Sequence, residues 1–376
     1  MQHTDVLIVG GGVIGLTTAY YLSRRGLTVK VLDRGVLGAE ASWAGAGIVP
    51  PGNPDKATTP MDRLRGISSD HYPLLTQELL EISGVDNGYR VCGGIEFLEP
   101  NETEFIGGWQ HEGIDFESLD PAAMATRFPM VQSPTSEPYY FPKMAQVRNP
   151  WHLKALISAC MVKRVHLRPK MGFAIFKPRG DQIIGVRLTN WETLSANHYV
   201  LASGAWSSQL LADLEVSIPV KPVRGQIVLF RPDQPIFSAV FIHGKRYLVP
   251  REDGRVLAGS TEEPEAGFEK QTTEAGVKGL TDFARKLVPD LHKAEIETSW
   301  AGLRPGTPDG IPYLGLVPGY RNLFVATGHF RSGIQLSPGT AQVLTELIMG
   351  ETPSVSMDYF RLDRPRNTGF TPAFRS

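Results

Sequence analysis

Apolar and polar positions near the start of the chain follow a strand–helix–strand pattern. Residues 5–9 form a short apolar run of the kind found in buried parallel strands. Residues 13–25 place their apolar side chains on one face of a helix, and residues 27–32 form a second apolar run that ends at Asp33. Because a glycine-rich turn separates the first strand from the helix, the three segments predict a βαβ unit.

Similar patterns recur along the rest of the chain, although the pattern of residues 83–140 is mixed and specifies no element clearly. Alternating or continuous apolar runs predict strands, and apolar positions three and four residues apart predict helices. The predicted helices are 72–82, 150–162, 273–287 and 337–349. The predicted strands are 198–202, 224–230, 246–250, 256–260 and 323–327, with strands over 173–194 that turn at 178–180, and a hairpin turn at Asp253–Gly254.

The order of these elements predicts an α/β fold in which one domain is assembled from separated pieces of the chain. A strand can leave a parallel sheet and rejoin it through a long excursion. We therefore expect a Rossmann-like domain from residues 1–80, 145–215 and 305–376. Residues 81–144 and 216–304 are expected to form a smaller α+β domain around an antiparallel sheet.

Composition narrows the class of protein. The 376 residues are 41% hydrophobic and carry 38 Lys and Arg against 39 Asp and Glu, so no basic face for a nucleic acid is indicated. The two cysteines, Cys92 and Cys160, stand in no metal or redox spacing, so neither a metal site nor a disulfide framework is expected. We find no signal-peptide pattern, and no apolar run approaches the ~20 residues of a membrane span. These features predict a soluble, cytoplasmic protein.

Three glycines between the first strand and the first helix form the pattern G-x-G-x-x-G. Gly10 permits the tight turn, Gly12 lets the backbone approach a pyrophosphate, and Gly15 lets helix and strand pack closely. The helix N-terminus offers free N–H groups to phosphates, and Asp33 stands where an acidic side chain accepts ribose hydroxyls. The motif predicts a nucleotide site, with a merely structural glycine-rich turn as the alternative. By itself it fits FAD and NAD equally.

Two further segments contain small residues of the kind that lie close to a ligand. In the Ala/Gly-rich loop at 39–52, Ser42 can donate to a phosphate, and Ala46 and Gly47 allow the close approach of a flat ring. The strand end at Ala202–Gly204 is a second place where backbone approaches a ligand. The alternatives are an ordinary flexible connection for the loop and a plain strand-to-turn junction for the strand end.

Five segments occur in the order typical of one enzyme family. They are GGGVIG to VLDR within 10–34, ASWAGAGIV at 41–49, LASGAWS at 201–207, SWAGLRPGTPDGIPYLG at 299–315 and ATGHFRSGI at 326–334. On these segments the chain resembles the FAD-dependent D-amino-acid oxidase family, and the last two are most similar to its glycine oxidases. The resemblance covers nearly the whole chain and is weakest at 83–145 and 262–296. It identifies the Rossmann-like domain as the expected FAD-binding domain and the smaller one as the expected substrate domain.

The resemblance also implies FAD contacts at defined positions. They are Val13 and Ile14 with the pyrophosphate, Asp33 and Arg34 with the adenosine ribose, Ala41 and Ser42 with the phosphates, Ala46, Gly47 and Ile48 with the flavin ring, the backbone near Phe173 with the adenine edge, and His329, Phe330, Arg331, Ser332, Gly333, Ile334 and Gln335 with the pyrimidine side of the isoalloxazine. Asp33 stands where the family more usually has glutamate. Gly302 stands where sarcosine oxidases carry a flavin-linking cysteine, so we expect FAD to be bound non-covalently.

Arg304, Tyr247 and Arg331 match the family's residues near the substrate. A guanidinium pairs with a carboxylate through two parallel hydrogen bonds, which suits Arg304 to an anchor role. The resemblance, together with the small, rigid neighbours at Gly302–Gly306, favours that role over a structural or surface arginine. Tyr247 is either a second donor to that carboxylate or a half-buried strand tyrosine. Arg331 either adds positive charge near the substrate or faces solvent. We expect His329 to be positional, because hydride transfer from a neutral amine requires no side-chain base. The N-terminus of the closing helix is expected to stabilise the reduced flavin through its dipole.

The resemblance implies an oxidase that transfers a hydride from glycine, sarcosine or a small D-amino acid to FAD. The imino acid then hydrolyses to an oxo acid and ammonia, and dioxygen reoxidises the flavin to give hydrogen peroxide. The implied partners are a small amino acid and O2, with no nucleic acid or membrane and with a homo-oligomer as a family expectation. Three alternatives stay open: a dehydrogenase that passes electrons to a quinone or carrier, an NAD-dependent enzyme, and a non-catalytic flavin-binding protein. Nothing in the sequence fixes the preferred amino acid.

Overall fold

The computed structural model of the protein describes residues 4–102, 104–132, 134 and 136–365. Strands and helices are numbered in chain order within these residues. The strands are β1 (Val6–Val9), β2 (Val29–Leu32), β3 (Ile48–Val49), β4 (Arg90–Val91), β5 (Gly94–Leu98), β6 (Glu117–Ser118), β7 (Glu137–Phe141), β8 (Ala145–Gln146), β9 (His166–Arg168), β10 (Ala174–Arg179), β11 (Gln182–Leu188), β12 (Thr193–Leu194), β13 (His198–Leu201), β14 (Lys221–Arg231), β15 (Val240–His243), β16 (Arg246–Pro250), β17 (Val256–Gly259), β18 (Glu295–Gly306), β19 (Tyr313–Leu316) and β20 (Leu323–Thr327). The helices are α1 (Val13–Arg24), α2 (Ala41–Ala44), α3 (Pro60–Ser83), α4 (Glu104–Glu112), α5 (Pro121–Arg127), α6 (Asn149–Val162), α7 (Ser207–Ala212), α8 (Glu274–Leu287) and α9 (Gly333–Met349).

The apolar runs near the start of the chain form the centre of a six-stranded sheet with the order β19-β20-β13-β1-β2-β9. Its strand pairs are parallel except that of β19 with β20. Val6 on β1, for example, is paired with His198 on β13 and with Val29 on β2. Strands covered on both faces are continuous apolar runs, and β1 and β20 are buried at every position. The strands come from three separated parts of the chain, as a doubly wound sheet permits.

Helix α3 begins at Pro60, whereas the sequence pattern predicts a helix only from residue 72. The Thr59 hydroxyl accepts a hydrogen bond from the Asp62 N–H and thereby caps the helix, and proline is well suited to the first helical position. The helix ends at Gly84, whose φ of 69° is the left-handed conformation common after a last turn. The prediction of a helix was right, but its start was wrong because the first half lacks a clear apolar period.

Helix α9 begins at Gly333, whereas the pattern predicts its start near residue 337. Pro338 lies inside the helix and has no N–H to donate to the Ile334 carbonyl four residues earlier. That carbonyl instead accepts hydrogen bonds from the hydroxyls of Tyr72 and Ser337. The proline is therefore tolerated within the second turn, and the helix extends one turn further toward its N-terminus than predicted.

The strand pair over 173–194 also differs in detail from the prediction. β10 continues through Pro178 and Arg179, and the chain turns at Gly180 and Asp181. The pairing of β10 with β11 shifts register between Lys177 and Pro178. A proline fits a strand at such an irregularity because its missing N–H breaks no regular pair there. The turn was therefore predicted too early: of residues 178–180, only Gly180 lies in the observed turn, because Pro178 and Arg179 still pair with β11.

A second sheet of eight strands has the order β18-β14-β17-β16-β15-β5-β7-β6. Its pairs are antiparallel except the parallel pair of β5 with β15. The hairpin of β16 and β17 confirms the turn predicted at Asp253–Gly254, with the Arg251 N–H donating to the Arg255 carbonyl at 2.7 Å. α8 buries Leu280 and its apolar neighbours against one face of this sheet. Together the two sheets confirm the predicted fold class; the residue boundaries of the two domains stay a prediction.

The short sheet β3-β8-β4 joins the Ala/Gly-rich loop to residues 145–146, and β10-β11-β12 form another three-stranded sheet. Among the described residues, no helix combines the length and apolar character needed to cross a bilayer. The same residues contain no group of three His, Cys, Asp or Glu side chains arranged to hold a metal ion.

Candidate active site

One cleft is lined by residues of both large sheets and of the loops that follow their strands. All the site residues predicted from the sequence line it, except Gly15. The predicted residues that line it are Gly10, Gly12, Val13, Ile14, Asp33, Arg34, Ala41, Ser42, Ala46, Gly47, Ile48, Phe173, Gly204, Tyr247, Arg304, His329, Phe330, Arg331, Ser332, Gly333, Ile334 and Gln335. Positions as distant in the chain as Gly10 and Gln335 thus meet at one place.

Gly15 lies behind the cleft wall rather than in it. A Cβ atom at this position would lie 1.9 Å from the carbonyl oxygen of Gly10, far inside any van der Waals contact. Any larger residue would therefore push α1 away from the end of β1. The helix N-terminus stays in the cleft because this position has no side chain.

The N-terminus of α1 presents backbone N–H groups to the cleft. Gly12 is the residue before the helix and provides no side-chain cap. The Val13 N–H donates to Ser42 Oγ at 2.9 Å, which places the Ser42 hydroxyl directly over the helix end. That hydroxyl still has its own proton to donate. Helix N-termini with uncapped N–H groups bind anions, so this end of the cleft suits phosphate groups.

Asp33 and Arg34 have structural partners that the sequence did not reveal. The two Asp33 carboxylate oxygens accept hydrogen bonds from the N–H groups of Gly11 and Gly35, each at 2.7 Å. Because each carboxylate oxygen has a second lone pair, Asp33 can still accept ribose hydroxyls. The Arg34 guanidinium lies 3.6 Å above the ring of Trp206, which also lines the cleft.

Phe173 lines the cleft, but its backbone is partly engaged. Its N–H donates to Thr189 Oγ1 at 2.9 Å, and its carbonyl accepts from the same hydroxyl at 3.3 Å. Its side chain is 64% exposed. The backbone contact expected near this position stays a prediction; the second lone pair of the Phe173 carbonyl and the neighbouring Gly172 and Ala174, which also line the cleft, could make it.

Helix α9 packs beside α1 on the same face of the six-stranded sheet, and its N-terminus lies at the same cleft. Residues Ser332–Gln335 line the cleft, and Ser332 provides no side-chain cap. Gln335 is 7% exposed, and its Nε2 atom has no hydrogen-bond partner among the described residues. An unused buried donor is costly, so its position at the cleft indicates a ligand acceptor beside it.

His329 is buried immediately before this helix. Its Nε2 atom lies 3.0 Å from Thr340 Oγ1, and burial lowers the pKa of the imidazole to about 3. Desolvation disfavours the charged ring, so His329 is neutral throughout the physiological range. A histidine with this pKa is a poor proton acceptor, in keeping with the positional role expected from the sequence.

Arg304 lies on β18 and Tyr247 on β16; β14 and β17 separate these strands in the eight-stranded sheet, and both residues line the cleft. Arg304 Nη1 donates to the Thr261 carbonyl at 3.1 Å, and Nη2 donates to Ser260 Oγ at 2.6 Å. Arg304 forms no ion pair within the described residues. A guanidinium has five N–H donors, so these two bonds fix its orientation and leave further donors for a ligand.

Arg331 differs from Arg304 because its charge is matched by a carboxylate. Its Nη1 atom lies 3.6 Å from Glu262 Oε2, and its Nη2 donates to the Lys245 carbonyl at 2.8 Å. The same Glu262 also pairs with the Lys245 ammonium at 2.7 Å. Of the two predicted substrate arginines, Arg304 is therefore better suited to bind a substrate carboxylate. No local sequence signal points to Glu262.

These features define a class of protein: a two-domain α/β enzyme with the N-termini of two helices, α1 and α9, at one cleft. The chain belongs to the family of FAD dependent oxidoreductases, whose family model, DAO, matches residues 5–347. The prediction of an FAD-dependent enzyme of this family is confirmed.

Glycine oxidases are among the proteins most similar to the chain. The glycine oxidase of Pseudomonas putida is 36% identical over 352 residues, which are 93% of this chain and 96% of that protein. The crystal structure of glycine oxidase from Geobacillus kaustophilus superposes with a TM-score of 0.91 at 31% identity and covers 97% of this chain and all of that one. Glycine oxidase from Bacillus cereus gives a TM-score of 0.88 at 29% identity over 96% of this chain and 99% of that one.

The cleft fits FAD on structural grounds as well. The N-terminus of α1, with the Ser42 hydroxyl bonded over Val13, suits a pyrophosphate, and the carboxylate of Asp33 suits a ribose. The unused Gln335 donor and the α9 N-terminus suit the acceptor atoms of a flavin ring. When bound, FAD supplies the chemistry of a two-electron acceptor; the chain supplies binding, orientation and charge.

Proposed function

We propose that the protein oxidatively deaminates a small amino acid, such as glycine, sarcosine or a small D-amino acid, with FAD as electron acceptor and dioxygen as final oxidant. The products are an imino acid, which hydrolyses to an oxo acid and ammonia, and hydrogen peroxide. The observation that carries this proposal is Arg304: an oriented guanidinium with unused donors and no carboxylate partner in the described residues, in the same cleft as the features that fit FAD.

The substrate carboxylate is proposed to bind Arg304 through two parallel hydrogen bonds. Thr261 and Ser260 hold the guanidinium from behind, so little side-chain freedom is lost on binding. The Tyr247 hydroxyl lies in the same cleft and can donate to the carboxylate from a side chain that is 6% exposed. Anchoring one end of a small amino acid in this way orients its α-carbon, which is the main requirement of the reaction.

The protein's own groups need not remove a proton from carbon. His329 is neutral and bonded to Thr340, and its pKa of about 3 makes it unsuited to act as a base. The amino group is proposed to bind neutral, after loss of its proton to water. The α9 N-terminus is proposed to stabilise negative charge that develops near Ser332–Gln335 as the substrate is oxidised.

FAD is proposed to be held without a covalent bond. Neither Cys92 nor Cys160 lines the cleft. Gly302 lies against α2, where an added Cβ would be 2.6 Å from the Ala44 Cβ, so a linking side chain would not fit there without a shift. Release of FAD by mild denaturation, with no flavin left on the chain, is the expected result.

An aerobic stoichiometry assay tests the proposal. Glycine, sarcosine and D-alanine are each added to the flavin-loaded protein, and oxygen, peroxide, ammonia and oxo acid are measured. The expected result for at least one of them is equal amounts of oxygen consumed and peroxide and oxo acid formed, with an equal amount of ammonia from a primary amine. Substrate turnover only when a quinone or dye is added would establish the dehydrogenase instead. No turnover with any amino acid under either condition would overturn the proposal.

A further inference from the structure

Arg251 is a buried arginine that the proposed chemistry does not use. It follows β16 directly, at the start of the turn that leads to β17, and is 9% exposed. Its guanidinium forms three hydrogen bonds: Nη1 donates to Gln146 Oε1 at 2.8 Å and to the Val147 carbonyl at 3.1 Å, and Nη2 donates to the Ala46 carbonyl at 2.8 Å. One side chain of the eight-stranded sheet thus connects two segments that lie more than a hundred residues away in sequence.

The Ala46 carbonyl belongs to the segment Ala46–Ile48, which lines the cleft. Gly47 has a φ of 76°, and a Cβ atom there would lie 2.1 Å from the Val147 carbonyl oxygen. The Val147 N–H donates to the Gly47 carbonyl at 2.8 Å, and Ile48 is paired with Gln146 in the short sheet. The segment therefore lies tightly against Gln146 and Val147, and Arg251 bonds to both sides of that contact.

The charge of Arg251 has no carboxylate partner within the described residues. The carboxylate of Asp253, two residues further on, pairs with Arg148 at 2.8 Å and with Arg255 at 3.2 Å. Burial, together with the nearby charges of Arg148 and Arg90, lowers the pKa of Arg251 to about 10, so it is still charged at neutral pH. A buried cation that forms no ion pair, and whose hydrogen bonds go only to carbonyl and amide oxygens, is costly to fold even with the charge of Asp253 nearby. The three hydrogen bonds of Arg251 therefore indicate that its function is to fix the backbone at Ala46 and Val147 and the side chain of Gln146.

We propose that Arg251 is a positioning residue of the flavin site, which holds the backbone of Ala46–Ile48 in the shape that accepts the isoalloxazine ring. The planar fork of the guanidinium is suited to this because it bonds to Ala46 on one nitrogen and to Gln146 and Val147 on the other. A lysine keeps the charge but has only one nitrogen for all three acceptors. This inference rests on the proposed placement of the flavin ring at Ala46–Ile48, and it does not depend on which substrate is oxidised.

The test compares FAD binding to the apoproteins of Arg251→Met and Arg251→Lys with that of the unchanged protein. FAD affinity is measured by quenching of flavin fluorescence, and the environment of the ring by the visible absorption and circular dichroism of the bound flavin. The control is Arg255→Met: Arg255 lies on the same hairpin, but its guanidinium bonds to Glu297 and Asp253 and does not line the cleft. Thermal unfolding of each apoprotein reports whether the fold is retained.

We expect Arg251→Met to bind FAD at least about tenfold more weakly and with a shifted flavin spectrum. The reason is that the buried oxygens of Ala46, Gln146 and Val147 lose their hydrogen-bond donor. Arg251→Lys is expected to fall between Arg251→Met and the unchanged protein, and Arg255→Met to bind FAD normally. If Arg251→Met does not fold, the altered spectrum and affinity of Arg251→Lys decide the question. FAD affinity and spectrum unchanged in the folded Arg251 variants would overturn the proposal. If the unchanged protein binds FAD but oxidises no amino acid, only the proposed function fails.

Discussion

Replacing Arg304 with alanine gives the sharpest test of how the cleft recognises its substrate. The guanidinium already donates one N–H from each terminal nitrogen, to Thr261 and to Ser260, and so retains two or more for a carboxylate. A hydrogen bond to a charged group contributes about 1.5–3 kcal/mol. Two such bonds at the lower value give about 3 kcal/mol of lost binding in the transition state, which is roughly a hundredfold in kcat/KM.

The assay measures kcat/KM for the preferred amino acid and for the matching amine that lacks a carboxylate. The unchanged protein is expected to prefer the amino acid strongly, whereas Arg304→Ala is expected to lose most of that preference, because only the Tyr247 hydroxyl then remains to donate to the substrate carboxylate. Arg304→Lys is expected to recover part of the loss, since it restores the charge without the fork.

The matched control is Arg246→Ala. Arg246 lies one residue before Tyr247 and bonds to the Gly279 carbonyl, but it does not line the cleft. The Arg246→Ala protein should keep the preference of the unchanged protein for the amino acid over the amine that lacks a carboxylate. An Arg304→Ala protein that is folded, binds FAD and still oxidises the amino acid with kcat/KM within about threefold of the unchanged protein would refute the reasoning.

Three other substitutions have expected outcomes. Glu262→Gln removes the carboxylate paired with Arg331, so activity on a substrate with a second carboxylate, such as D-aspartate, should rise relative to D-alanine in steady-state assays; an unchanged ratio would contradict the pairing. Gly47 has a φ of 76°, and Gly47→Ala would place a Cβ atom 2.1 Å from the Val147 carbonyl oxygen, so less FAD should stay bound after gel filtration. Full retention of FAD would contradict the tight packing of this segment at the flavin site. His329 has a folded pKa of about 3, below its ordinary value near 6.5, so only the unfolded chain gains a proton as the pH falls between these values. His329→Gln should therefore lose less unfolding free energy than the unchanged protein between pH 7 and pH 5 in urea titrations, and an equal loss would show that His329 is not buried neutral.

The sequence predicted those parts of the fold in which local pattern and tertiary structure agree. The run at 5–9, the glycines before α1 and the hairpin turn at 253–254 each carry a local signal that the packed structure keeps. The start of α3 was missed because capping by Thr59, and not an apolar period, determines it. The start of α9 was missed because a proline is typical of the first turn of a helix, so Pro338 suggests a start near residue 337. The hydrogen bonds that Tyr72 and Ser337 donate to the Ile334 carbonyl allow the helix to begin earlier, and the sequence does not show them.

In the cleft, too, short local motifs were predictable from the sequence, whereas contacts between side chains far apart in the chain were not. The backbone positions of the cleft follow short motifs, so the loops that line it were predicted by residue number. The ion pair of Glu262 with Arg331, the stacking of Arg34 on Trp206 and the bonds of Arg251 join residues far apart in the chain. No periodicity or spacing in one sequence reports which distant side chains meet. These contacts show that Arg304 keeps donors for a substrate carboxylate, whereas Arg331 pairs with Glu262 and Arg251 bonds to backbone and amide oxygens. Only the structure could make that distinction.

The most direct test of the central claim is the visible spectrum of the purified protein, recorded without oxygen before and after addition of glycine, sarcosine or D-alanine. The account predicts a yellow protein with flavin bands that bleach with at least one of these amino acids, and that return with release of peroxide when air is admitted. A yellow protein that none of the three bleaches would contradict the proposed reaction. A protein that is colourless and cannot be reconstituted with FAD would contradict the assignment of the cleft itself.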